Sequence, residues 1–228
     1  MKGSVKACGR GSGNLSAVQR LEQKILPARI TFISHGATSA LRRASFPLDE
    51  PVVAEELEKI AAIGWVVPRA QQVWCGPEQR TRQTAEALGL QADRAIEMGD
   101  INFGSWGGKE IEEIQAGDPQ GLSMWLTDME ASPHGGESFV QLIGRVGSWM
   151  GRQTVAGHTV AVTHPAVIRA AILYCLQAPN SSFWRVDTAP LSVTDLRFNG
   201  KLWTVRSVGC PLDRSHGTRQ PTFESVTR

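Results

Sequence analysis

Short apolar runs alternate along this chain with stretches of helical period, and that alternation restricts the fold more than any other feature. Residues 30–33 read as a buried strand, 52–63 as a helix, 72–75 as a second strand and 78–88 as a second helix. Residues 137–150 place Phe139, Leu142, Ile143, Val146 and Trp149 along one face of a long amphipathic helix. A strand over 159–163 runs into His164-Pro165 and a helix over 166–176; proline suits a first helical turn because the N–H it lacks has no partner there. Segments 192–198 and 201–205 flank Asn199-Gly200, a hairpin signal. Strands alternating with helices predict an α/β chain, a three-layer α/β/α sandwich with a mostly parallel central sheet and a hairpin near its end. In such sheets functional groups gather at the carboxyl ends of the strands. Three of those ends carry Ser34-His35-Gly36-Ala37-Thr38, Gly76-Pro77-Glu78-Gln79-Arg80 and His164, so two histidines and an arginine are expected to converge.

Charge and composition narrow the partners. With 24 Lys and Arg against 22 Asp and Glu, the formal net charge is +2, and no basic block marks a nucleic-acid surface. No run of 18 apolar residues is present, so neither nucleic acid nor membrane is expected as a partner. An anion must then be met by a local cluster of cations. Cys8, Cys75, Cys175 and Cys210 include no pair at metal or redox spacing, and the histidines form no i, i+4 pair. The expectation is reduced thiols, a cytoplasmic location and no metal. Residues 1–27 read as an extension: a Gly-, Ser- and Lys-rich tail to about residue 14, then a short amphipathic helix over 15–26. The domain spans 28–208, and residues 209–228, polar and without periodicity, read as a loose tail. Nothing in the sequence fixes an oligomeric state.

Five segments in order resemble the histidine phosphatase superfamily, the phosphoglycerate-mutase-like group. Ser34-His35-Gly36-Ala37-Thr38 is similar to its Arg-His-Gly-x-Thr motif. The stretch from Gly76-Pro77 through Arg80 to Gln83-Thr84-Ala85 resembles its Ser-Pro-x-x-Arg-Ala-x-Gln-Thr-Ala segment. Asp100-Ile101-Asn102-Phe103-Gly104-Ser105-Trp106 lies where the family has Glu-x-x-Phe-Gly-x-Trp, and Gly135-Gly136-Glu137-Ser138 matches Gly-Gly-Glu-Ser. Val162 to Arg169 matches the closing strand-His-helix motif.

The resemblance implies a phosphatase that acts without cofactor on a small phosphomonoester. His35 is then the nucleophile that becomes a phosphohistidine, Arg80 pairs two phosphoryl oxygens, and His164 donates to the phosphoryl group. Asp100 takes the place of the family's acid, one methylene shorter than glutamate, with Glu97 as the alternative. Ser34 and Thr38 would lie against the phosphoryl group, and Glu137 and Trp106 near the pocket. Two departures stand out: Ser34 replaces the motif arginine, and Leu41 replaces an asparagine. Loss of one preorganised donor costs on the order of 10² to 10³ in rate. Arg42 or Arg43, with Arg43 preferred, is expected to supply the missing charge. The alternative is a weakly active or inactive homologue that binds a phospho-ligand. A mutase is less well matched, because the interval between residues 86 and 134 carries only Arg94 and Lys109 as bases. Sequence leaves the substrate open among sugar, nucleotide and cobalamin-precursor phosphates.

Overall fold

The computed structural model describes residues 27–65, 69–154 and 157–213. The expected tail and helix of residues 1–26, and His216, lie outside the described residues. Strand β1 (Ala28–Ser34) leads to one helical turn, α1 (Ser39–Arg42), and then to α2 (Ala54–Ile63). Strand β2 (Gln72–Cys75) feeds α3 (Gln79–Ala87), and the two-residue β3 (Asp93–Arg94) follows. Helices α4 (Ile111–Gly117) and α5 (Pro119–Thr127) come next. Helix α6 (Phe139–Arg152) precedes β4 (Gly157–Thr163) and α7 (Pro165–Leu176). Strands β5 (Ser192–Phe198) and β6 (Trp203–Pro211) close the chain.

The six strands form one sheet in the order β3-β2-β4-β1-β5-β6. The first four are mutually parallel, and β5 and β6 run antiparallel at the other edge. Alternation along β1 sends Ile30 and Phe32 into a cluster with Phe139, Leu142 and Ile168 of α6 and α7. Ile33 faces the other way, with Ile60 of α2 and Ala85 of α3. That is the three-layer architecture expected from the alternation of elements. Helix α6 starts on a reciprocal cap, Ser138 accepting from Gln141 N while the Gln141 side chain accepts from Ser138 N.

The sheet extends further than expected at its end. Strand β6 runs through Gly209 and Cys210 to Pro211, past the boundary read at 208, because Cys210 and Pro211 pair with Val193 and Ser192 across a register shift in β5. Leu212 is buried behind it. The polar surface of this edge strand hid its continuation in the sequence. No described helix is long and apolar enough to cross a membrane.

Candidate active site

Strand register brings the two histidines together. In the parallel pair β1 and β4, Ser34 stands opposite Thr163, so His35 and His164 leave adjacent strand ends. His35 N donates to Thr163 O at 3.0 Å, which continues the ladder one residue further. The imidazole centroids are 5.1 Å apart, at an angle of 66°. Gly76, at the end of β2, donates from its N–H to Val162 O at 3.0 Å, and α3 starts three residues later. Arg80, in the first turn of α3, is thereby brought to the same place.

His35 Nδ1 lies 2.7 Å from Gly36 O. A carbonyl only accepts, so Nδ1 carries the proton and Nε2 keeps its lone pair. Burial, then the nearby His164 and Arg80, push the imidazolium form of His35 down to about 3. His35 is a neutral imidazole over the working pH range of most enzymes, as attack on an anionic phosphoryl group demands.

Arg80 is almost fully buried, and each arm of its guanidinium is used. Nη1 donates to Leu48 O at 2.6 Å, Nη2 to Asp100 Oδ2 at 2.9 Å, and Nε to His164 Nδ1 at 3.3 Å. A buried guanidinium without partners would be strongly destabilising. Burial pushes the Asp100 carboxyl up, but His164, Arg80 and His35 together outweigh it and hold the group below the usual carboxylate range. The other ring nitrogen of His164, Nε2, lies 2.8 Å from Glu78 Oε2. Glu78 Oε1 also accepts from Asp100 N at 3.0 Å. Burial raises the Glu78 carboxyl, and the hydrogen bond and charge of His164 more than reverse this, to about 2.

Sequence placed no role on Glu78. The local signal is the glycine two residues earlier, where the resembled motif has serine. A Cβ on residue 76 would come within 3.0 Å of both Glu78 Oε2 and His164 Nε2, and within 2.7 Å of Met98 O. The bare α-carbon of Gly76 keeps the Glu78–His164 contact uncrowded. The second unforeseen residue is Arg169 on α7, whose guanidinium lies 5.8 Å over Phe183 and 5.9 Å over Trp184.

A cavity of about 330 Å³ opens over this cluster, lined by Ser34, His35, Thr38, Arg80 and Asp100 at one end and by Arg169 on its wall. The hydroxyl of Thr38 accepts from Leu41 N at 3.4 Å and caps α1. Ser34 Oγ is buried with no hydrogen-bond partner in the protein. Among the described residues, no group of three or more His, Cys, Asp and Glu side chains is arranged to hold a metal ion.

Several expected residues lie elsewhere. Neither Arg42 nor Arg43 lines the cavity; both are exposed, and Arg43 Nε faces Glu110 Oε1 at 3.7 Å. Helix α1 is a single turn that buries Ala40, so its arginines point to solvent. The expectation that one of them replaces the motif arginine is therefore corrected. Glu137 does not reach the cavity either. It grips Arg145 through two bonds of 2.8 Å, and Arg145 donates onward to the carbonyls of Glu97, Gly99 and Asp100. This pair shapes the segment that presents Asp100. Glu97 itself points away, to Arg152. Trp106 is buried against Phe46 and His134, each with a centroid distance of 5.1 Å, and buttresses its loop.

Fold and site together define an α/β protein with a two-histidine pocket at the carboxyl edge of a parallel sheet. Residues 30–211 match the model of the histidine phosphatase superfamily, branch 1, and the chain belongs to that family. It is 30% identical over 188 residues to a bifunctional protein of Mycobacterium tuberculosis, a match that takes in 76% of this chain and 52% of that protein. The chain thus spans about half the length of that relative. It is 27% identical over 158 residues to phosphoserine phosphatase 1 of Hydrogenobacter thermophilus, covering 61% of this chain and 71% of that one. Among solved structures, the mycobacterial glucosyl-3-phosphoglycerate phosphatase with VO3 aligns with a TM-score of 0.72 at 21% identity, over 80% of this chain and 98% of that one. The alpha-ribazole phosphatase of Shigella flexneri aligns at 0.71 and 21% identity, over 79% and 96%. These two likenesses concern the fold.

Proposed function

We propose that the chain is a phosphomonoesterase that works through a phosphohistidine on a small phosphorylated metabolite. The observation that carries the reading is the neutral His35 ring, tied at Nδ1 to Gly36 O, beside His164 and Arg80. His35 Nε2 attacks phosphorus and the ester P–O bond breaks. The departing alkoxide takes a proton from the Asp100 carboxyl. Water then attacks the phosphohistidine, Asp100 accepts its proton, and the N–P bond breaks to release phosphate.

Asp100 is ionised while it pairs with Arg80, so it must gain a proton before it can act. A bound phosphoryl dianion competes for the Arg80 fork and places negative charge beside the carboxylate; both effects raise its pKa. His164 donates to a phosphoryl oxygen once Glu78 yields its Nε2–H. No metal is required in this scheme, because Arg80 and His164 carry the charge stabilisation.

A second reading, a phospho-ligand binder without turnover, is favoured by Ser34 in place of the motif arginine and by the carboxylate already seated on His164. One assay separates the two. Hydrolysis of p-nitrophenyl phosphate in EDTA that disappears in His35→Ala supports the enzyme. Binding of phosphate without turnover of any phosphomonoester supports the binder. Turnover that survives in His35→Ala contradicts the phosphohistidine route.

A further inference from the structure

The walls of the cavity carry information about the alcohol half of the substrate, a question that rests on the phosphatase reading above. Away from the phosphoryl end the lining is largely apolar. Phe46 and Trp125 are buried against it, while Leu41, Ile111 and Trp184 form a mouth whose side chains remain 56%, 43% and 40% exposed. Exposed apolar side chains grouped around one opening mark a contact surface for an apolar partner. A sugar or an amino acid would need several polar groups here for its hydroxyls or its ammonium. The one carboxylate on the wall, Asp100, is already held by Arg80.

Three polar atoms on the wall stand apart from the phosphoryl cluster. Arg169 Nε, Thr188 Oγ1 and Trp125 Nε1 are buried and lack a hydrogen-bond partner in the protein. Contacts with the Phe183 and Trp184 rings, and Asp187 Oδ1 at 3.9 Å from Nη2, hold the Arg169 guanidinium in place. We infer that the substrate is the phosphomonoester of an apolar, ring-bearing alcohol, with its ring on Leu41, Phe46 and Trp184 and a single acceptor group met by Arg169 and Thr188.

Calorimetry with non-hydrolysable phosphonates tests this without requiring turnover. On the full chain, benzylphosphonate should bind about tenfold or more tightly than 2-aminoethylphosphonate, since removing a phenyl group from water readily provides that factor. Trp184→Ser should erase the difference while leaving methylphosphonate affinity unchanged. Adding a para-carboxylate to benzylphosphonate should tighten binding further, and Arg169→Met should abolish that gain. Equal or tighter binding of the aminoethyl compound, or a preference untouched by Trp184→Ser, overturns the proposal. Failure of the phosphatase reading would appear separately, as phosphonate binding in the expected order without hydrolysis of aryl or alkyl phosphates.

Discussion

Glu78 Oε2 rests 2.8 Å from His164 Nε2, so a carboxylate occupies the donor that a phosphoryl oxygen would use. A Cβ on residue 76 would crowd this contact, at 3.0 Å from both atoms. Ser34 and Glu78 act in one direction: the first leaves out a cation that the family motif supplies, and the second sets a carboxylate on a donor of the pocket.

Replacing Glu78 by Ala should therefore strengthen anion binding. A unit charge about 4 Å away is worth roughly 4 kcal/mol at an effective dielectric of 20, before screening by solvent and by Arg80. Part of that should survive, and vanadate or phosphate should inhibit Glu78→Ala at roughly tenfold lower concentration or less. Competitive inhibition constants check this. Unchanged or weaker inhibition would mean that Glu78 orients His164 and does not compete with the ligand.

The role of Asp100 depends on the leaving group. p-Nitrophenolate departs without help, whereas an alkoxide needs a proton, and general acid catalysis contributes about 10² to 10⁴ in rate. Asp100→Asn should cost roughly that factor with an alkyl phosphate and far less with p-nitrophenyl phosphate. Because Arg80 and His164 hold this carboxyl below its ordinary range, the wild-type rate on alkyl phosphates should fall as pH rises from 5 to 8. Comparing the two substrates across that range measures both effects.

Much of the fold was legible because its signals are local. Strands β2 and β5 appear with their expected limits, since apolar runs and turn residues bound them on both sides. Strand β3 was not legible: two exposed residues carry no periodicity, and only the pairing of Asp93 and Arg94 with Trp74 and Cys75 makes them a strand. At the site, His35, Arg80 and His164 follow from strand ends, whose location a parallel sheet dictates. Glu78 and Arg169 were hidden because their roles arise from contacts across the fold. Glu78 meets a histidine 86 residues away. Arg42 and Arg43 misled because closeness in sequence to His35 says nothing about which side of a one-turn helix faces the cavity.

Acid should unfold the protein through a histidine far from the active site. On β4, His158 Nε2 lies 2.9 Å from Thr31 Oγ1, within a network that also holds Arg29 and Asp195. Burial, then the charge of Arg29, lower the pKa of His158 to about 4 from 6.5. Above 6.5 the ring is neutral in both folded and unfolded chains and nothing is lost. As pH falls from 6.5 to about 4, only the unfolded chain gains the proton, and stability drops by on the order of 3 kcal/mol from this group. Urea midpoints measured across that interval should decline, and His158→Gln should flatten the decline. A midpoint independent of pH there would contradict the buried neutral assignment.

The most direct test is to trap the phosphoryl group on the protein. Rapid quench after mixing with a 32P-labelled phosphomonoester should place acid-labile, base-stable label on His35 within the first turnover, and none on His35→Ala. Label on another residue, or steady turnover without any labelled protein in wild type, would contradict nucleophilic attack by His35.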